Sequence, residues 1–318
     1  MRILITGGSG FIGTNLLEYY LIKGMCVLNV DFSEPRNKKH IPYWKNVDIR
    51  NSDLLESVIL DFNPDFIFHL AARTDLDGKT LDDYNSNHIG TYNVLNVSKK
   101  CINLRRVIFT SSQLVCSGRM PSHNDDYFII NPYGESKKQG ELIIKKDKNI
   151  QYEWLIVRPT SIWGPWFREP YRNFFDLIIN RKYFHIGNKS CTKTYGFIGN
   201  TIFQLNSLML APKELVNNEI FYLADYNAYN IEEWANEIAA EIGIKINRMP
   251  MFIIYISAII GDILKKINVK FPMTSYRLHN MTQGNVKKLD KISSIINNLP
   301  YSRIEGVKIT LKWMTANK

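Results

Sequence analysis

Tyr133 and Lys137 stand four residues apart in the run Tyr133-Gly134-Glu135-Ser136-Lys137, so on a helix they share one face. A tyrosine with a reference pKa of about 10 is a poor base at neutral pH. A neighbouring ammonium and a second positive charge would stabilise its phenolate and lower that value. Such a pair can take a proton from a hydroxyl group and give it back. Pro132 suits the first turn of the helix, and Asn131 can cap it.

A source for the second charge lies at the start of the chain. Ile3 to Ile5 read as a buried strand that breaks into Thr6-Gly7-Gly8-Ser9-Gly10-Phe11-Ile12-Gly13. A helix with Phe11, Ile12, Leu16 and Leu17 on its apolar side follows. Gly7 permits a tight turn, Gly10 lets the backbone approach a pyrophosphate, and Gly13 lets helix and strand pack closely. The free N–H groups of the first helical turn then hold a dinucleotide's diphosphate. Asp31 ends a second apolar run, Met25 to Val30. An acidic residue there suits the ribose 2′-hydroxyl of NAD and repels the 2′-phosphate of NADP. The charged nicotinamide of NAD would complete the surroundings of Tyr133.

These residues need a framework to bring them together. Through about residue 160, apolar strand-like runs alternate with helical patterns, the sign of a parallel sheet covered on both faces. Strands are expected near Val47, over Phe66 to Leu70, Arg106 to Thr110 and Trp154 to Val157. Helices are expected over Ser52 to Phe62, Leu81 to Lys100 and Pro132 to about Lys146. Right-handed crossovers would make this an α/β, doubly wound sheet with its ligand crevice at the strands' C-terminal ends. The glycine turn, Asp31, Asp48-Ile49, Leu70-Ala71-Ala72, Ser111-Ser112 and Arg158-Pro159-Thr160 all fall at such ends.

After Trp163 the pattern loosens. Helices are expected over Tyr171 to Asn180, Ile231 to Ile242 and Met251 to Ile267, and Glu219 to Ala224 reads as a strand that returns to the main sheet. Residues 1–162 are thus expected to form the dinucleotide-binding domain and residues 163–318 mainly a smaller mixed α/β substrate-binding domain.

The 318-residue chain is 45% hydrophobic, ample for a sizeable core, and its net charge of +10 comes mostly from scattered lysines. That balance favours anionic ligands. No basic block with interleaved aromatics suggests a nucleic-acid partner. Cys26, Cys101, Cys116 and Cys191 lack metal-ligand spacing and read as reduced thiols of a cytoplasmic protein, so no metal is expected. Glycines interrupt the first apolar run after Ile5, unlike a signal peptide. The apolar stretch Met251 to Ile260 is too short to span a bilayer and is expected to be a packed helix.

Taken together, the glycine turn, Asp48-Ile49-Arg50, His69-Leu70-Ala71-Ala72, Asn87-His88-Ile89-Gly90-Thr91, Ser111-Ser112, the Tyr133 to Lys137 run and Arg158-Pro159 resemble the extended short-chain dehydrogenase/reductase superfamily. Within it the chain looks most like the nucleotide-sugar epimerase/dehydratase family, nearly end to end, out to Glu305-Gly306-Val307 and Trp313. The resemblance implies a Rossmann-type fold, bound NAD, a nucleotide-diphosphate sugar as substrate, and a homodimer built from the helices at Leu81 to Lys100 and Pro132 to Lys146. It makes Tyr133 the acid/base at the sugar hydroxyl, with Ser112 sharing the proton. Lys137 would hold the nicotinamide ribose. Asp48 and Ile49 would touch the adenine, and Leu70, Ala71 and Ala72 would line the diphosphate. Asn87, Ser111 and Pro159 complete the implied cofactor site.

Departures from the family pattern narrow the reaction. Sugar 4,6-dehydratases place an Asp-Glu pair after the Ser/Thr, where this chain has Gln113-Leu114, neither of which is an acid or base. Ser161 stands where many epimerases carry Asn, and Cys116 and His69 read as buried structural residues. Lys193 and Arg277 match basic residues that meet the substrate diphosphate, with an ordinary surface cation as the alternative at each. Asn173, on the expected lid helix, is a further candidate for substrate binding. The expectation is an NAD-dependent epimerase acting at C4 in surface-polysaccharide precursor synthesis. The alternative is a 4-keto-sugar reductase, and a non-catalytic NAD-binding scaffold is a third reading.

Overall fold

The computed structural model describes the chain except residues 118–122, 124, 125, 188–190, 268, 270, 272, 273 and 318. In chain order the strands are β1 (Arg2–Thr6), β2 (Cys26–Asp31), β3 (Trp44–Asn46), β4 (Phe66–His69), β5 (Arg106–Thr110) and β6 (Glu153–Pro159). They continue with β7 (Ser161–Trp163), β8 (His185–Ile186), β9 (Thr192–Lys193), β10 (Tyr195–Phe197), β11 (Glu219–Leu223), β12 (Tyr229–Asn230) and β13 (Arg248–Met249). The helices are α1 (Phe11–Ile22), α2 (Ser52–Phe62), α3 (Asn85–Ser98), α4 (Pro132–Lys146), α5 (Tyr171–Ile179) and α6 (Ile198–Leu210). The last six are α7 (Lys213–Val216), α8 (Ile231–Glu241), α9 (Met251–Lys266), α10 (Ser275–Thr282), α11 (Asp290–Ser293) and α12 (Arg303–Ala316).

Among the described residues, seven strands form one sheet in the order β11-β6-β5-β4-β1-β2-β3, and every pairing is parallel. The order reverses between β1 and β4, where an open α/β sheet forms its ligand crevice. The strands run apolar almost without interruption because both faces are covered. One face packs Ile3, Ile5, Phe66 and Phe68 against α1 residues Leu16, Leu17 and Tyr20, and the other packs Leu4, Ile67 and Val107 against Val94 and Leu95 of α3.

The second half of the chain contributes to this sheet. β11 pairs with β6 over Glu219 to Leu223, as the run of β-formers predicts. Arg106, the first residue of β5, caps α6: its guanidinium donates to the carbonyls of Leu208 (2.6 Å), Met209 (2.7 Å) and Ala211 (2.8 Å). That arrangement satisfies a helix C-terminus and complements its dipole. β7, β10, β12, α5 and α8 pack around an aromatic cluster, in which the Trp163 ring lies 5.0 Å from that of Trp234 and 5.1 Å from that of Phe197.

Three expectations need adjusting. The Leu81 to Lys100 helix is α3 alone, preceded by a short 3₁₀ turn over Asp82–Tyr84. The run Lys193 to Ile198, whose resemblance to a family strand implies a single element, divides, β9 pairing antiparallel with β12 and β10 parallel with β7. The third concerns α9. Only the stripe Ile254, Ala258 and Gly261 is buried, against Leu278 of α10 and the Ile186 and Met249 side chains. The opposite face is exposed, so α9 is packed along one edge and not enclosed. No described helix is long and apolar enough to cross a membrane.

A buried ion pair ties α4 to the sheet. Arg158 of β6 donates from Nε to Glu141 Oε1 (2.8 Å) and from a terminal nitrogen to Oε2 (2.7 Å), with both side chains at most 1% exposed. Removing one partner of such a pair strands a buried charge and costs on the order of 3–5 kcal/mol, whereas replacing both with apolar groups can be neutral. We therefore expect Arg158→Met to lower unfolding free energy by about 3–5 kcal/mol in urea titration, and Arg158→Met with Glu141→Leu to recover most of it. Equal losses in the single and double variants would contradict this role.

Candidate functional site

The site is assembled where β1, β4, β5 and β6 end. β1 runs into a turn in which Gly7 adopts φ +76°, and a Cβ there would lie 2.5 Å from the Ala71 backbone nitrogen. A Cβ on Gly13 would lie 2.2 Å from the Gly7 carbonyl. Only glycine allows this stacking of turn, helix and neighbouring strand end. Gly10 is the N-cap of α1 and provides no side-chain cap, so the first-turn N–H groups of Phe11, Ile12 and Gly13 are presented at the crevice with the positive end of the helix dipole.

Asp31, buried at the end of β2, accepts from the backbone N–H groups of Ser9 (3.1 Å) and Ser33 (2.9 Å). Asp31, the residue expected to meet the ribose, is thereby tied to the glycine turn. Burial raises its pKa, opposed by those backbone donors and by Arg36. Asp48 is engaged by its own neighbour, accepting from Arg50 Nε at 3.0 Å on both oxygens. Ile49 is buried against Gly90 of α3, where an added Cβ would meet its side chain at 2.3 Å. Leu70, Ala71 and Ala72 form the half-buried segment after β4, held by Leu70 N–H donating to the Thr6 carbonyl at 2.9 Å.

α4 carries the reactive pair. Asn131 caps it as expected, accepting from Gly134 N at 2.7 Å, and Pro132 occupies the first turn. Tyr133 is 7% exposed. Burial pushes its phenol up to about 12, while the Ser112 side chain hydrogen-bonds it and pulls the other way; without the charged nicotinamide the pKa thus lies above the usual value, not below it as the neighbouring ammonium was expected to bring it. Lys137 donates to the Thr110 carbonyl at 2.8 Å, and burial lowers its pKa to about 8 against the opposing charge of Glu141. The Ser112, Tyr133 and Lys137 set is thus brought together at the end of β5. Beside it, the hydroxyls of Thr110 and Ser111 are buried without a hydrogen-bond partner among the described residues, and Thr110, Ser111, Lys137 and His69 line a small cavity. Buried polar groups ordinarily find partners, so these hydroxyls fit a polar ligand. With the uncapped α1 terminus and Asp31, the residues present fit a dinucleotide.

Two residues of the recognised motifs build the site from behind. Thr91 Oγ1 donates to the Asn87 carbonyl (2.8 Å) and His69 Nε2 lies 2.9 Å from the same Oγ1. His69 Nε2 must then carry the proton, and Nδ1 accepts from Thr6 Oγ1 at 2.8 Å. Burial and Lys137 depress this histidine to about 3, so it is a neutral strut linking β1, β4 and α3. Asn87, expected at the cofactor, is engaged by protein groups. Its amide donates to the Arg73 carbonyl and Ser136 Oγ and accepts from Arg73 N–H and Ser86 Oγ. These bonds clamp the post-β4 loop to α4 through the Asn87 side chain.

Tyr171, at the start of α5, was not evident from sequence spacing. Its hydroxyl donates to Ser161 Oγ at 3.0 Å, and Gln113 Nε2 donates to the same oxygen at 3.2 Å. Tyr171 is close enough to raise the Tyr133 pKa electrostatically. Ser161 and Gln113 are thereby placed next to the acid/base pair by a contact across distant chain segments. Pro159 is buried at the end of β6, opposite Leu223. Asn173 is half-buried on α5 and Lys193 half-buried on β9. The Arg277 side chain lies outside the described residues, although its backbone belongs to α10.

If Asp31 selects NAD, Asp31→Ser should weaken NAD and strengthen NADP binding, narrowing the ratio of their Kd values by at least about tenfold in calorimetric titration, one lost charged hydrogen bond being worth about 1.5–3 kcal/mol. An unchanged ratio would assign the choice elsewhere.

Comparison with known proteins agrees with this geometry. The NAD dependent epimerase/dehydratase family matches residues 3–192. An N-acetyl-alpha-D-glucosaminyl-diphospho-ditrans,octacis-undecaprenol 4-epimerase of Escherichia coli O157:H7 is 25% identical over 98% of this chain and 95% of its own length. Among solved structures, an epimerase from Methanothermobacter thermautotrophicus superimposes with TM-score 0.77 at 21% identity, covering 99% of this chain and 92% of that one. A UDP-glucuronic acid 4-epimerase from Bacillus cereus in complex with NAD gives 0.74 at 20% identity, covering 100% and 99%. At these identities the structural likeness speaks for the fold. The glycine turn, the Ser112, Tyr133 and Lys137 set and the matching of more than half the sequence together show that this chain belongs to the NAD-dependent epimerase/dehydratase family of enzymes, with NAD as its cofactor.

Proposed function

We propose that this protein is a 4-epimerase of diphosphate-linked sugars, nucleotide-sugars being the expected substrate class, acting in the synthesis of surface-polysaccharide precursors. The observation that carries the reading is the complete Ser112, Tyr133 and Lys137 set combined with Gln113-Leu114 beside it. Gln113 donates its amide to Ser161 and can neither remove the C5 proton nor expel a C6 hydroxyl as a dehydratase requires.

NAD, when bound, supplies a reversible hydride acceptor at its nicotinamide. Tyr133 takes the proton of the sugar's C4 hydroxyl and later returns it to the C4 oxygen. Ser112 holds that oxygen by a hydrogen bond as the hydroxyl becomes a ketone. Lys137, anchored by the Thr110 carbonyl, would hold the nicotinamide ribose and support the phenolate with its charge. Inversion follows when the 4-keto sugar turns over before C4 is reduced again.

The sugar's carrier has two candidates. UDP-sugar substrates appear in the names of several relatives, whereas the relative matching 98% of this chain acts on a sugar carried by a polyprenyl diphosphate. We further propose a homodimer through α3 and α4, consistent with the exposed Ile89 and Tyr92 on α3.

Two outcomes are expected. Tyr133→Phe should lower kcat by about 10²–10⁴-fold while leaving NAD binding intact, as expected for loss of a positioned acid/base; retained interconversion of C4 epimers, followed by chromatography, would refute the mechanism. Lys137 is charged below its pKa of about 8 and neutral above it, so the support it gives the phenolate disappears as pH rises. Turnover should accordingly show an alkaline limb beginning near pH 8, and a profile flat to pH 10 would exclude this role for its charge. Net consumption of NADH with a 4-keto sugar and no epimer formed would favour the reductase reading.

A further inference from the structure

α9 leaves an apolar face in solvent that the epimerase chemistry does not use. Phe252, Ile256, Ile259, Ile263 and Ile267 recur at helical spacing and are between 54% and 65% exposed. Tyr255 and Ile260 widen the stripe on either side at 57% and 44% exposure. The exposed apolar area is on the order of 700 Å², beyond the few hundred Å² an ordinary monomer leaves in one patch. The inner stripe of the same helix is buried on α10, so the orientation of the outer face is fixed by the protein.

The charges around this face give its occupant. Of the lysines and arginines between Glu241 and Asp290, Lys245, Lys265, Lys266 and Lys288 are exposed, whereas Lys287 is buried and Arg248 is paired with Glu232; the one acidic residue in that stretch is Asp262. That aspartate is directed at the N-terminus of α10, accepting from Ser275 N at 3.1 Å. Lys265 and Lys266 follow the last apolar turn and are exposed. Arg181, Lys182 and the exposed Phe184 precede β8, which pairs with β13 immediately before α9. An apolar stripe edged by cations is the pattern of a helix lying in the interface of an anionic bilayer, its apolar side at the acyl boundary and its lysines at the headgroups. A second copy of the same basic surface would meet like charge instead.

We propose that α9 docks this protein reversibly on membranes rich in anionic phospholipid, lying in the plane of the interface without crossing it. The inference goes beyond the reaction assigned above and is independent of it, because a sugar on either carrier leaves the surface unchanged. A membrane-held enzyme would also reach sugars carried by a polyprenyl diphosphate.

The test is sedimentation of the full chain, loaded with NAD, with vesicles of phosphatidylethanolamine and phosphatidylglycerol or of phosphatidylcholine alone. The protein should pellet with the anionic vesicles, release as salt is raised, and bind phosphatidylcholine at least tenfold more weakly. Ile259→Asp with Ile263→Asp should reduce binding to anionic vesicles at least tenfold, and Lys265→Glu with Lys266→Glu should reduce it as well. All these substitutions fall on exposed positions, and unchanged NAD affinity checks that the variants are folded. Failure of the unaltered chain to bind, or equal binding by the aspartate variant, would overturn the proposal. So would self-association through α9, seen as a larger species in light scattering that the aspartate variant abolishes while vesicle binding is absent.

Discussion

The Arg158–Glu141 pair ties α4 to the sheet, and the chemistry of the site depends on that tie. Glu141 lies one turn beyond Lys137 and two beyond Tyr133, so the contact that seats it also points the other two at the ends of β5 and β6. A helix packed only by apolar contacts could turn a few degrees at little cost. A bidentate ion pair with no solvent to replace it leaves much less freedom. The same carboxylate opposes the burial that lowers the Lys137 pKa. One interaction therefore helps to direct the acting groups and moderates the effect of burial on Lys137.

The other supports extend this frame. The hydrogen-bonded line from Thr6 through His69 to Thr91 joins two strands to α3, and Asn87 joins the loop after β4 to α4. Buried networks of this kind hold geometry when every member is satisfied, and here each side chain has its partners. By contrast, the buried hydroxyls of Thr110 and Ser111 have no hydrogen-bond partner among the described residues. Polar atoms left open among fully satisfied neighbours mark the part of the frame that awaits ligand.

Much of the sheet was legible because a parallel strand buried on both faces must be apolar throughout, and glycines with Asn131 and Pro132 mark where its helices start. Gly7, Asp31, Ser112, Tyr133 and Lys137 could be read because each is constrained by local chemistry at a strand end or helix turn. Tyr171 could not, since its position depends on packing of α5 against a segment distant in sequence. Asn87 was recognised as part of a motif, but its role depends on Arg73 and Ser136, which no spacing rule connects to it. The exposed side of α9 misled for a related reason. Apolar residues all round a helix predict burial, and the inner stripe meets that expectation; the outer one does not.

The central claim is that the chain holds NAD as a resident cofactor recycled within each turnover. Denaturing the purified protein and identifying the released dinucleotide by mass spectrometry tests this directly. The account predicts NAD in nearly one-to-one ratio with the chain. A protein that releases no dinucleotide, or one that takes up NADPH in preference to NAD on titration, would contradict it and point to a reductase with an exchanging coenzyme.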